Sequence, residues 1–166
     1  METLKQTADK KIPEESSAGS THYFTNDKNN LTVDIYKLIH LSEVVPVQIV
    51  PISTLASQAN DDCWNDSLGN KIGPHRIMMA LADGKLSWAE LLRDRPEWQT
   101  HVEGVRDANY EKYPLLVVED NQIADGMHRL TKALIDKVTE IKVKRFLTTP
   151  VEAIVINNKS DTVEKS

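Results

Sequence analysis

The chain has 166 residues, 40% of them hydrophobic and 27% charged, and its formal net charge is −5. This length and apolar content predict one globular domain of ordinary size, and the negative charge disfavours nucleic acid as a partner, because nucleic-acid binding draws its affinity from Lys and Arg. The single cysteine, Cys63, excludes an internal disulfide, and without a membrane-length apolar run or a signal-peptide core we expect a cytoplasmic protein with no membrane partner.

The amino-terminal segment, residues 1–30, is polar and charged and contains few apolar side chains. Such a composition buries too little apolar surface to offset the entropy of ordering the chain, so we expect a disordered leader. The leader would serve either as a binding segment for a protein partner or as a spacer. The folded body is expected over 31–150, and residues 151–166 are expected to form a C-terminal tail whose first part, 151–156, has the composition of a strand.

The first part of the body alternates helical and extended patterns. Pro74 and Pro96 each favour the first turn of a helix, and Ser87 with Glu90 has the spacing of a capping box. Apolar periodicity defines the remaining elements. The predicted elements are a helix over 33–41, a strand over 44–52, a polar loop over 58–74, a helix over 75–82, a helix after Ser87 and a helix from Pro96 to Asp107.

The last part of the body has the clearest pattern. An apolar strand, a tight turn and a return strand form a predicted hairpin, which is followed by an amphipathic helix and an alternating strand. The predicted bounds are 113–118 and 122–125 for the hairpin strands, 127–137 for the helix and 141–146 for the last strand. The sequence therefore predicts an α+β fold, with a small mixed β-sheet flanked by helices.

The junction between the return strand and its helix carries the residues that suggest chemistry. A helix start has unpaired N–H groups and a partial positive charge, which favour an anion, and Gly126 allows the backbone to approach a ligand closely. His128, Arg129 and Lys132 lie in or next to the first turn, where a positive charge opposes the helix dipole. A phosphate would be held there, because Arg offers a bidentate fork, Lys a point charge and His a donor.

A structural explanation of the same residues remains open. Asp125 is a good N-cap, His128 could donate a hydrogen bond to a carbonyl, and Arg129 could pair with a neighbouring carboxylate. Residue types alone do not separate these roles from a phosphate site.

The strand at 113–118, the Asp-Gly-Met-His-Arg motif at 125–129 and the strand at 141–143 resemble, in this order, the ParB/sulfiredoxin superfamily. The segment 45–52 is similar to the first strand of that fold. The resemblance implies a ParB/sulfiredoxin-like domain over 31–150 that binds a nucleotide at the Gly126 turn.

Branches of this superfamily differ in their chemistry. Sulfiredoxins use a cysteine directly before the His-Arg pair, where this chain has Met127, and a thioether cannot act as that nucleophile. Partition proteins of the ParB type carry a separate helix-turn-helix module, which we do not find after residue 146. The free serine kinases carry Asp-Gly-His-His-Arg, which is nearest in form to residues 125–129 of this chain. The Asp-Gly-Met-His-Arg form found here resembles an uncharacterised bacterial branch of the superfamily.

The resemblance therefore implies a nucleotide-binding protein. As an enzyme it would be a phosphotransferase that moves phosphate from ATP or ADP to a small hydroxylated substrate, with Mg²⁺ as the cofactor that bridges the phosphates. The alternatives are a non-catalytic module for nucleotide sensing or protein binding, and a ParB-like nuclease. Asp125 and His128 are the catalytic candidates, and we predict no metal site built by the protein itself. The residues assigned to nucleotide and phosphate binding are Gly126, Met127, His128, Arg129, Lys132, Ser53 and Thr54.

The polar loop over 58–74 and the helix start after it supply further candidates. Its carboxylates would be solvated or would be the next candidates, after Asp125, for the carboxylate that phosphoryl transfer needs. Trp64 would pack against the core edge or against a base or substrate. His75 and Arg76 would lie at the surface or contact a second anion. The loop carboxylates are Asp61, Asp62 and Asp66.

Overall fold

The computed structural model describes residues 22–26 and 28–156, and of Asp83 only the backbone. The described residues form two compact units, one made of 22–26, 28–45 and 146–156, the other of Pro46–Arg145. The elements of the first unit are β1 (Tyr23–Asn26), β2 (Leu31–Asp34) and α1 (Ile35–Leu41).

The first unit begins with a hairpin that corrects the expected disordered leader at its end. β1 pairs with β2 in antiparallel register, with Phe24 opposite Val33. Asn30, directly before β2, adopts φ 59°, which Asn tolerates better than most residues. The sequence did not predict β1 because its β-favouring residues are few and lie next to a polar turn. Residues 1–21 and 27 of the predicted leader lie outside the described residues, as do residues 157–166 of the predicted tail.

Two further boundaries in the first unit differ from prediction. The helix predicted over 33–41 begins only at Ile35, since Val33 belongs to β2 and the Asp34 side chain accepts a hydrogen bond from the Lys37 amide as the N-cap. The start of the predicted tail is ordered: Ile154 forms a single antiparallel bridge with Val33. A single bridge, and no full strand, joins this segment to the hairpin.

The second unit contains most of the predicted elements. Its strands are β3 (Val47–Pro51), β4 (Trp64–Asn65), β5 (Lys71–Ile72), β6 (Leu115–Val118), β7 (Gln122–Asp125) and β8 (Glu140–Arg145), and its helices are α2 (Pro74–Leu81), α3 (Trp88–Asp94), α4 (Gln99–Arg106) and α5 (Met127–Ile135). The capping box at the start of α3 is confirmed, with both Ser87–Glu90 hydrogen bonds present.

A four-stranded sheet in the order β3-β8-β6-β7 organises this unit. β6 and β8 are parallel, whereas β3 with β8 and β6 with β7 are antiparallel. The predicted α+β class with a small mixed sheet is confirmed. β6 is buried along its whole length, as an inner strand of four apolar residues should be, and β8 alternates buried Ile141 and Val143 with lysines.

One side of the sheet packs against α5. The cluster there contains Leu115 and Val117 of β6, Ile141 of β8, and Leu130 and Ala133 of α5. Ala133 has no long side chain, which allows the helix to approach the strands. This packing holds the amino end of α5 next to the start of β6.

The hairpin β6–β7 is closed by a left-handed turn. Asp120 and Asn121 have φ values of 61° and 57°. The Gln58 side chain donates to the Asn121 carbonyl at 2.6 Å and accepts from the Ile123 amide at 2.9 Å. A distant side chain therefore satisfies backbone groups that the turn leaves unpaired.

A second apolar cluster lies between the remaining helices of this unit. It contains Ile77 of α2, Leu91 of α3, and Val102 and Val105 of α4, with Trp98 beside them. Trp64 packs against its edge. The prediction that Trp64 covers the edge of the core is confirmed.

Candidate functional site

The turn between β7 and α5 needs glycine for a structural reason. Gly126 has φ 119°, a left-handed conformation that side chains rarely adopt. A Cβ atom at Gly126 would lie 2.8 Å from Cγ of Leu115 and 3.3 Å from its Cα. Close approach to β6 alone therefore accounts for this glycine.

Arg129 is held by the protein itself. Its Nη2 donates to a carboxylate oxygen of Asp125 at 2.7 Å, and its Nη1 donates to the carbonyls of Tyr113 at 3.1 Å and Pro114 at 2.8 Å. Arg129 and Asp125 are each only 16% exposed. The guanidinium thus ties the first turn of α5 to the chain that leads into β6.

Asp125 makes this ion pair instead of capping the helix. The N-cap of α5 is Gly126, so the alternative explanation of Asp125 as an N-cap is wrong. No side-chain hydrogen bond caps the helix start. Met127 packs its side chain against the core cluster and contributes only its backbone to the turn.

Lys132 points to a different helix. Its amino group donates to the carbonyl of Arg106 at 2.8 Å, at the last residue of α4. A cation at this position satisfies a terminal carbonyl and complements the negative end of the helix dipole. In this structure Lys132 therefore stabilises the end of α4 and does not face the Gly126 turn.

His128 is joined to a histidine that the sequence left without a role. Its Nε2 lies 3.0 Å from Nδ1 of His101 on α4, and Nε2 of His101 lies 2.9 Å from the carbonyl oxygen of Asn65. Burial is the largest cause that lowers the pKa of His101 below 6.5, and the Asn65 carbonyl and the charge of Asp66 partly oppose it.

Both imidazoles pack against Trp64. The indole stacks on His101 with 4.6 Å between centroids and 7° between planes, and it meets His128 at 4.7 Å and 44°. A Cβ at Gly104 would lie 2.8 Å from Cε1 and Nδ1 of His128. The helix α4 therefore needs glycine at this position to let the His128 ring in.

The remaining phosphate-binding candidates follow a different strand. Ser53 and Thr54 follow β3, the outer strand at the opposite edge of the sheet from β7, so three strand spacings, roughly 14 Å, separate the two strands. The Thr54 hydroxyl donates to the Pro51 carbonyl at 2.7 Å, as a turn residue does.

The loop carboxylates have partners in their own neighbourhood. Asp62 lies 3.0 Å from Nε2 of His75 and 3.3 Å from Arg76, so the anion that His75 and Arg76 bind is one of the chain's own. Asp66 accepts hydrogen bonds from the amides of Leu68 and Asn70, which closes the loop between β4 and β5.

Sequence reasoning missed His101. Its partner His128 is 27 positions away, and no local spacing connects them. The available signal was Gly104, three residues after His101 and on the same face of the predicted helix. A glycine inside a helix costs about 1 kcal/mol relative to alanine and so indicates a close approach of another group.

Neither protein-family models nor curated proteins nor solved structures match this chain. The resemblance to the ParB/sulfiredoxin superfamily therefore stays a prediction. Within 22–26 and 28–156, no helix is long and apolar enough to cross a membrane, and no three His, Cys, Asp or Glu side chains are grouped as metal ligands.

Proposed function

We propose that this chain binds the phosphate of a nucleotide at the amino end of α5, as a ParB/sulfiredoxin-like domain would. The observation that carries the proposal is the pair of Asp125 and Arg129, 2.7 Å apart beside a helix start that no side chain caps. The Asp125 carboxylate occupies the position on Arg129 that a phosphate would take.

Binding would proceed by exchange of one anion for another. The phosphate replaces Asp125 on Nη2 of Arg129, while Nη1 keeps its bonds to the carbonyls of Tyr113 and Pro114. Those carbonyls orient the guanidinium before the ligand arrives, which lowers the entropic cost of binding. The amides at the helix start add hydrogen bonds and the positive end of the dipole.

The contacts favour binding without phosphoryl transfer. Transfer needs a group that accepts the proton of the substrate hydroxyl. Of the two candidates for this role, His128 has its Nε2 hydrogen-bonded to His101, and Asp125 is paired with Arg129 until a phosphate displaces it. A nucleotide-sensing module is therefore the form of the proposal that this geometry supports best, with ATP or ADP as the first ligands to test. Mg²⁺ would enter with the nucleotide phosphates.

The test compares nucleotide affinity in variants whose effects have opposite signs. Isothermal titration with ATP, ADP, CTP and AMP, with and without Mg²⁺, measures the dissociation constant. Asp125→Asn removes the competing charge and should tighten binding by roughly 3- to 10-fold, a gain of about 0.7–1.4 kcal/mol. Arg129→Lys keeps the charge, loses the fork, and should weaken binding by about tenfold or more.

A matched control is Asp62→Asn, which removes a carboxylate that also pairs with an arginine in the same unit. It should leave the affinity unchanged. If neither the wild type nor Asp125→Asn binds any of these nucleotides, the proposal is wrong. Tighter binding by Asp125→Asn cannot be explained by loss of structure, so this sign is the decisive result.

A further inference from the structure

The hydrogen bonds of His101 and His128 determine which ring nitrogens carry a proton. A carbonyl oxygen only accepts hydrogen bonds, so Nε2 of His101 carries a proton toward Asn65. Neutral His101 then has its lone pair on Nδ1, and burial, which lowers its pKa, favours this neutral form. Since Nδ1 of His101 accepts, Nε2 of His128 must be the donor of the bond between them.

We infer that His101 is the positioning residue of the Gly126 turn: through Nδ1 it fixes the ring of His128, and with it the first turn of α5. This inference rests on the proposed function for its purpose. His101 lies on α4, and its other nitrogen is anchored to Asn65 of β4. Its ring is also stacked on Trp64, so it cannot swing away without breaking three contacts.

This arrangement changes the role expected for His128. Its Nε2 proton is directed at His101, and the opposite edge of the ring faces the backbone at Gly104. The ring is thus a spacer that sets the position of the helix start. Arg129 and the turn amides then supply the phosphate contacts, and an imidazole donor is not among them.

Two substitutions of His101 separate hydrogen bonding from packing. His101→Gln offers a carbonyl oxygen to His128 and an amide N–H to Asn65, so it can replace both bonds without the ring. His101→Phe preserves a ring that stacks on Trp64 and removes both bonds. If positioning acts through the hydrogen bonds, the glutamine variant should behave as wild type and the phenylalanine variant should not.

The first readout is the protonation state of each ring nitrogen, measured by ¹⁵N NMR at neutral pH. In wild type we expect a protonated Nε2 on both histidines and an unprotonated Nδ1 on His101. In His101→Phe, Nε2 of His128 should lose its fixed proton and exchange between tautomers. In His101→Gln it should stay protonated. A role in packing alone would not move these signals in this order.

The second readout is the affinity for ADP. His101→Phe should weaken binding by about tenfold, and His101→Gln should stay within about twofold of wild type, a difference near 1 kcal/mol. If wild type binds no nucleotide, the proposed function fails while the NMR spectra still decide how His101 holds His128. An unprotonated Nε2 on His128 in wild type, or a phenylalanine variant with unchanged tautomers and affinity, would overturn the inference.

Discussion

Replacement of Arg129 by alanine tests how firmly the start of α5 is tied to β6. The substitution removes three hydrogen bonds, one to Asp125 and two to backbone carbonyls, at a position where both charged groups are 16% exposed. Loss of one partner of a buried ion pair costs about 3–5 kcal/mol. Because some solvent reaches Asp125, we expect the lower end, a loss of about 3 kcal/mol in the free energy of unfolding.

The assay is urea unfolding followed by tryptophan fluorescence, in which the midpoint should fall with little change in slope. Arg93→Ala is the control, since Arg93 pairs with its neighbour Asp94 at 3.1 Å while 70% exposed. Exposed pairs of this kind contribute about 0–1 kcal/mol. If Arg129→Ala loses no more stability than this control, the guanidinium is solvated in solution and there is no Asp125–Arg129 pair for a phosphate to replace.

Three further predictions concern contacts made across the second unit. In an unobstructed helix, Gly104→Ala would raise the free energy of unfolding by about 1 kcal/mol. Here the added Cβ would lie 2.8 Å from the His128 ring, so we expect urea unfolding to show a loss of about 1–3 kcal/mol instead. Adding His128→Ala should relieve this loss. The folded state lowers the pKa of His101, so its contribution to stability is full above pH 6.5 and declines as the pH falls below 6.5. When the free energy of unfolding is measured across pH, this decline should be smaller in His101→Gln than in wild type. The same pH dependence in both proteins would contradict the burial of His101. Gln58→Ala removes two hydrogen bonds from the β6–β7 turn and should lower the free energy of unfolding by about 1–2 kcal/mol. Hydrogen exchange at the Ile123 amide should become faster.

The Asp-Gly-Met-His-Arg segment is compatible both with a structural role and with a phosphate site. Each of its polar side chains has a protein partner: Asp125 and Arg129 have each other, and His128 has His101. A turn that is stable without ligand is compatible with binding only if one of these partners yields. The Asp125–Arg129 pair is the one whose exchange leaves other bonds of Arg129 intact, which is why the proposed experiment is centred on it.

Elements whose causes are local could be predicted from the order of the amino acids alone. The bounds of β7 and the start of α5 at Met127 agree with prediction, as does the Ser87–Glu90 capping box. These features depend on residues within four positions of each other, where alternation, capping and turn chemistry act directly. The α+β class followed from the order of such elements.

Which elements contact each other depends on how the chain packs in three dimensions. β8 lies between β3 and β6, so β3, which ends at Pro51, and β7, which leads into the Gly126 turn, are the two edge strands of the sheet. His101 reaches His128 across 27 positions, and Arg129 reaches Pro114 across 15. No periodicity encodes such pairings, because they are selected by how apolar faces pack in three dimensions. The partners of the basic side chains at the turn, and with them its chemistry, were therefore fixed by the fold.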